Sequence, residues 1–393
     1  MARVVMTLLG VITIVLCFFS ISPIYKWGEP RPFEGDKIYN PYSGSDSTTV
    51  WKRATFHTHT KVDKGINECP YYPDVVYDEY KALGYDIVAF TNHNALTVHP
   101  TDETLDLHGY EHGYNLFKLH NNIFGTDKVQ KYDILIPLFD SHKQFKMNLA
   151  GKDGEITVLN HPDRTLGITT RTMERLSGYQ LIEGDSGFGE RDSGEGTHLK
   201  RWDEALSAGH YSHNILSDDN HNPKNPARIA RRSTWINTPS AQYNDVKEAL
   251  LSGNFYSMRT PPGIPTDSLP RVAEIALRGD TIILALTSPA QSIEIISQNG
   301  EVKGKVSDSS RAQYIMQPQE PYIRLTARYQ EGTVIYTNAF ARYSQGESPY
   351  NGATPEINWL MTILYNLLLL IIVILLSIRV LKSLKFVAGG KTK

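Results

Sequence analysis

Uncharged apolar runs stand near both ends of the chain, and short alternating runs fill the space between them. Residues 4–22 hold no charged side chain and are preceded by Arg3. A helix of that length reaches about 28 Å at about 1.5 Å per residue, near the hydrocarbon thickness of a bilayer. Residues 1–24 are therefore predicted as an N-terminal transmembrane anchor or, because Ser20 and Ser22 are small, a signal peptide. The second run, 357–378, is also uncharged and has Trp359 and Tyr365 near its entry. It predicts a transmembrane helix over 357–380. Arg379, Lys382, Lys385, Lys391 and Lys393 follow it. The positive-inside bias then places the chain in a cell membrane, with both termini cytoplasmic and everything between the anchors extracytoplasmic.

Between the anchors, 25–50 is rich in proline, glycine, serine and threonine and reads as a linker. From Trp51 the pattern alternates. Residues 54–59, 86–91, 156–160, 179–183 and 214–217 read as buried strands. Residues 74–83, 202–208 and 245–251 read as helices, each followed by a glycine at Gly84, Gly209 or Gly253. Strand alternating with helix argues for an α/β unit over 51–260 with a largely parallel sheet or barrel. Pro261-Pro262-Gly263-Ile264-Pro265 breaks any regular element. Beyond it, 268–345 holds short β-type runs, with turns at Gly279-Asp280 and Asn299-Gly300, and predicts a small all-β sandwich.

Composition changes this picture in one respect. With 393 residues, 40% hydrophobic, 21% charged and a net charge of −2, the chain is ordinary globular material, and nucleic acid is not expected as a partner. Two cysteines, Cys17 and Cys69, allow neither a disulfide framework nor a Cys-based zinc motif. All 13 histidines, however, lie between His57 and His221. Several close predicted strands: His57-Thr58-His59, Asn92-His93, Asn160-His161-Pro162 and Asp219-Asn220-His221. Side chains two apart on a strand share a face, so His57 and His59 point the same way. Imidazoles and carboxylates gathered at the C-terminal end of such a sheet are what a site for two or three divalent ions requires.

Four motifs taken in order resemble the PHP (polymerase and histidinol phosphatase) metallohydrolases. They are Phe56-His57-Thr58-His59-Thr60, the run from Tyr85 to Asn94 containing His93, Asn160-His161-Pro162 and Asp218-Asp219-Asn220-His221. The resemblance implies a distorted (β/α)7 barrel that binds manganese, zinc or iron. By similarity, one metal takes His57, His59, Glu111 and Asp219, a second Glu111, His120 and His161, and a third Asp63, His93 and His221. Three features depart from the family. The His59 to Asp63 spacing is unusual, Asn92 stands where an aspartate often precedes the histidine, and a long insertion separates His120 from His161.

The implied reaction is hydrolysis of a phosphate mono- or diester by a metal-bound hydroxide, with Arg164 holding an anionic group of the substrate. Arg191, Arg231 and Arg232 are further candidates for that role, and Asp185 for lining the pocket. The run Trp202-Asp203-Glu204-Ala205-Leu206 resembles the carbaryl-hydrolase-like branch of the superfamily, whose chemistry includes carboxyl ester or carbamate hydrolysis. A non-catalytic, metal-stabilised surface binding protein is a third reading. Tethering at both ends makes a small molecule or a lipid or glycolipid head group the expected phosphoester substrate.

Overall fold

The computed structural model describes residues 2–45, 48–100, 107–186, 199–350 and 354–389. Helix α1 (Ala2–Phe18) leads into two short strands, β1 (Tyr25–Lys26) and β2 (Lys37–Tyr39). The segment that reads as a linker is thus part of the fold. β2 pairs with a strand near the end of the chain, and Tyr42 is buried, with its hydroxyl donating to Phe255 O at 3.1 Å.

Seven strands follow: β3 (Val50–Thr55), β4 (Ile87–Val88), β5 (Gly109–His112), β6 (Asn121–Phe124), β7 (Ile156–Leu159), β8 (Leu181–Ser186) and β9 (His213–Ser217). β3 pairs with β4, β7 with β8 and β8 with β9, all parallel, whereas β6 is antiparallel to both of its neighbours. Isolated parallel bridges between His93 and Glu111 and between Thr58 and Asn220 link the segment after β4 to β5 and the segments after β3 and β9 to each other. Backbone pairing therefore runs through the seven strands in chain order and returns to the first.

Helices α2 (Pro73–Ala82), α3 (Asp140–Ala150), α4 (Thr170–Met173) and α5 (Lys200–Ser207) interleave with these strands, and α6 (Tyr243–Ser252) separates β10 (Arg232–Thr238) from β11 (Phe255–Arg259). Gly253 ends α6 in a left-handed conformation, φ 83°. A β-carbon there would meet the His213 imidazole at 2.2 Å, so only glycine fits.

The proline-rich break at 261–265 interrupts the chain but not the sheet. β10 pairs with β3 on one side and β11 on the other, and β11 continues into β16 (Val334–Thr337). The remaining strands are β12 (Val272–Arg278), β13 (Thr281–Ile296), β14 (Val302–Ile315), β15 (Tyr322–Arg328) and β17 (Phe340–Tyr343). They complete one 11-stranded sheet with β2, β3, β4, β10, β11 and β16. One apolar cluster accordingly spans Tyr42, Trp235 and Tyr256 as well as Ile282, Leu284 and Leu325. The two turns expected at Gly279-Asp280 and Asn299-Gly300 join β12 to β13 and β13 to β14.

β18 (Glu356–Ile357) pairs antiparallel with β1, and only Asn358 separates it from α7 (Trp359–Gly389). α7 is long and apolar enough to cross a membrane; α1, at 17 residues, is shorter. The two helices lie side by side and antiparallel. Thr7 donates to Ser383 at 2.7 Å near one end, and Tyr365 donates to Ser20 O at 3.0 Å near the other.

Candidate metal centre

The site forms where β3, β4, β7 and β9 end, beside the paired β5 and β6. His161 and Asp219 leave their strands with φ 30° and φ 49°. L-residues seldom occupy that left-handed region, so the surrounding structure holds the backbone strained where these side chains are aimed.

Glu111 of β5 lies at the centre. Its Oε2 is 3.3 Å from His57 Nε2, 3.4 Å from His59 Nε2 and 3.1 Å from His93 Nε2. Its Oε1 faces His120 Nδ1 at 3.0 Å and His161 Nε2 at 3.4 Å, and accepts from Asn160 Nδ2 at 3.0 Å. Asp219 Oδ1 lies 3.2 Å from His57 Nε2 and 3.1 Å from His59 Nε2. Among the described residues, three groups offer ligand atoms within 4.8 Å of one another: His57, His59, Glu111 and Asp219; His93, Glu111 and His120; and His59, Glu68 and His93.

These residues fit divalent cations. Two donors at about 2.05 Å on a tetrahedral ion stand about 3.4 Å apart, close to the separations found here. His57 Nε2 and Glu111 Oε2 are buried without a hydrogen bond, a costly state that a cation between them would relieve. Imidazole and carboxylate donors suit Mn, Zn or Fe. Burial opposes the charged form of Glu111 and Asp219, yet the surrounding imidazoles hold both carboxyls well below their usual range. Burial also pushes His59 and His120 down to about 4, which keeps both rings in the neutral form that ligates.

Neighbouring groups aim the ligands. Glu183 takes His57 Nδ1 at 3.1 Å and 3.2 Å, turning Nε2 toward the centre, and also accepts from His161 N at 3.2 Å. Asn92 accepts from Thr60 N at 2.7 Å and donates to Thr60 Oγ1 at 2.7 Å. It thereby fixes the His59–Thr60 segment.

The structure brings together His57, His59, His93, Glu111, His120, His161, Asp219 and His221. Asp63 is exposed and belongs to none of the three groups. Glu68 stands in the place expected for it, with Oε2 2.9 Å from His221 Nε2 and 3.1 Å from His93 Nε2. Sequence reasoning missed Glu68 and Glu183. The second had a signal, as the last residue of a predicted strand; the first had none.

Arg164 lines a pocket of about 250 Å³ in front of the cluster, together with Lys118, Tyr114 and Asn115. Its Nη1 pairs with Asp219 Oδ2 at 3.1 Å. Arg231 instead donates to Thr260 O and Ala227 O, and Arg232 is buried against Asp185 at 2.9 Å, so none of these three lines the pocket. Arg191 lies outside the described residues. Asp203 and Glu204 of α5 pair with Arg324 and Arg201 and make no contact with the site.

No family model matches the chain, and no curated protein matches it. Among solved structures it is similar to a two-domain protein containing a predicted PHP-like metal-dependent phosphoesterase from Bacteroides vulgatus. The identity is 13%, the overlap covers 80% of this chain and 99% of that one, and the TM-score is 0.39. So loose a likeness transfers nothing, and the residues of the site carry the reading.

Proposed function

We propose that this chain is a membrane-tethered, extracytoplasmic, metal-dependent hydrolase of the PHP type that cleaves phosphate mono- or diesters. The observation that carries the proposal is the buried Glu111 carboxylate, with three imidazole nitrogens near one oxygen and two near the other. A carboxylate so placed suits a bridge between two cations. The cyclic pairing of β3 through β9 is what a distorted seven-stranded barrel requires.

His57, His59, Glu111 and Asp219 would hold one ion, and Glu111, His120 and His161 a second. His93 and His221, joined by Glu68, would hold a third. Divalent ions in such groups acidify water and stabilise the charge that builds on a phosphoryl group. The chain's own residues supply the remainder. Glu183 orients His57, while Arg164 and Lys118 place positive charge at the pocket wall, where an anionic ester would dock. That charge favours a phosphoester over a neutral carboxyl ester or carbamate. α7, with α1 packed along it, would tether the body to the membrane, and the Lys and Arg residues that follow 378 favour a cytoplasmic C-terminus.

The test is turnover of p-nitrophenyl phosphate, bis-p-nitrophenyl phosphate and p-nitrophenyl acetate by the full chain with added manganese. Phosphoester hydrolysis is expected, with a loss of at least 100-fold in Asp219→Ala and His57→Ala. Wild-type turnover and metal content in both variants would refute the mechanism. Turnover of the acetate alone would favour the carboxyl ester reading. Metal-dependent melting without any turnover would favour a binding protein.

A further inference from the structure

Four large apolar side chains stand exposed on loops that also carry residues of the metal pocket or pack against those that do. Leu116 is 63% exposed, Leu138 60%, Phe139 53% and Leu166 58%. Single exposed apolar residues are ordinary, but these sit on three loops that are bonded to one another. Leu116 N donates to Leu135 O at 3.0 Å, three residues before Leu138, and Leu166 N donates to Phe117 O at 2.8 Å. Lys118 and Arg164, each two residues from one of these leucines, line the pocket itself.

The same loops rest on the terminal helices. Tyr132 donates to Phe18 O at 3.2 Å and to Ile21 O at 3.3 Å. The His142 ring, 5.0 Å from that of Phe139, meets the Tyr365 hydroxyl at 2.9 Å. Tyr365 is six residues into α7 from Trp359, about 9 Å along the axis. The N-terminal end of α3, which carries Phe139, therefore lies level with the apolar part of α7 and below its first turn.

We propose that Leu116, Leu138, Phe139 and Leu166 seat the pocket mouth on the surface of the bilayer that α7 enters, so that the site takes the phosphoester of a lipid head group while the lipid stays in the membrane. This rests on the tether and the metal site proposed above. The occupant of the apolar face is the bilayer because the face is continuous with the one helix, among the described residues, long and apolar enough to cross it. An aromatic and three leucines beside Lys118 and Arg164 form the apolar-and-cationic edge that suits a phospholipid interface.

The full chain in lipid nanodiscs tests this. In a Cys17→Ser, Cys69→Ser background, single cysteines are introduced as Leu116→Cys, Phe139→Cys, Leu166→Cys, Val50→Cys and Leu368→Cys and labelled with an environment-sensitive fluorophore. Val50 opens β3 at the end opposite the site, and Leu368 lies within α7. Blue-shifted emission, quenched by spin-labelled lipid, is expected at 116, 139 and 166 and at 368, with water-like emission at 50. Water-like emission at 116, 139 and 166 with a quenched label at 368 overturns the seating and leaves the tether intact. Water-like emission at 368 overturns both. A second readout compares vesicle phosphatidylglycerol with bis-p-nitrophenyl phosphate in the double variant Leu116→Asp, Phe139→Asp. Lipid turnover should fall tenfold or more relative to the soluble diester; equal loss on both substrates overturns the proposal. Quenched labels in a protein that hydrolyses neither substrate would support the seating while refuting the lipid phosphoesterase function.

Discussion

Glu68 and Asp63 separate what the chain's pattern discloses from what only folding discloses. His57 and His59 were legible as alternate residues of a predicted strand, and Asp219 and His221 as the end of another, although in the structure both pairs follow just after β3 and β9. Glu68 belongs to no periodic element. It comes from a loop tied at its base by Lys61 N donating to Tyr71 O at 2.6 Å, with Cys69 buried beneath. That closure carries Glu68 to His93 and His221, while Asp63 stays in solvent. Hydrogen bonds with His221 and His93 hold the Glu68 carboxyl far below its usual range, so it is ionised throughout the physiological span. Glu68→Gln should therefore lower the bound metal by about one ion per chain and cut turnover by about 10- to 100-fold. Asp63→Asn should leave metal content unchanged. Elemental analysis of the two purified variants checks both statements, and the reverse result would restore Asp63 as the ligand.

Element by element, legibility followed apolar content. Strands β7, β8 and β9 and helices α2, α5 and α6 stand close to where periodicity places them, because each buries an apolar stripe. β5 and β6 were missed. Gly109-Tyr110-Glu111-His112 and Asn121-Asn122-Ile123-Phe124 are polar on the side that builds the site, so neither shows apolar alternation. β14 was missed for a different reason: its mostly polar sequence forms an exposed edge whose partner, β13, supplies the buried face. α5 is fixed to the large sheet by charge as well as by packing. Arg324 of β15 forks onto Asp203 of α5 at 2.8 Å and 2.6 Å, with both side chains almost buried and Tyr322 donating to the same carboxylate at 3.2 Å. Arg324→Leu strands that carboxylate and should cost about 3–5 kcal/mol. The double variant Asp203→Leu, Arg324→Leu should recover most of the loss, because both desolvation penalties go together. Chemical denaturation of the wild type and the two variants in detergent measures this; a double variant as unstable as the single would mean that the pair contributes net stability.

Across the whole molecule, the histidines that do not ligate make the fold sensitive to acid. His213 is buried at the start of β9, with its Nε2 donating to Leu251 O at 3.3 Å, and burial pushes it down to about 3. His142 is pushed down to about 4, again by burial, and His210, which donates to Glu174 O at 2.8 Å, is lowered as well. In the unfolded chain each titrates near 6.5, as an ordinary imidazole does (about 6.5). Between that value and the folded one, the unfolded state binds protons that the native state refuses, so stability falls as pH falls. The contribution is complete above pH 6.5 and is lost progressively on acidification toward 4 and below. Ligand imidazoles in the site would add their own proton uptake on metal loss, so a comparison of variants isolates the structural group. His213→Gln keeps an amide donor for Leu251 O but cannot titrate. Melting temperatures of wild type and His213→Gln, both in excess chelator, should draw together or cross between pH 7.5 and 4.5, with the variant gaining several degrees relative to wild type. A gap that stays constant over that range would mean that His213 takes up its proton as readily folded as unfolded.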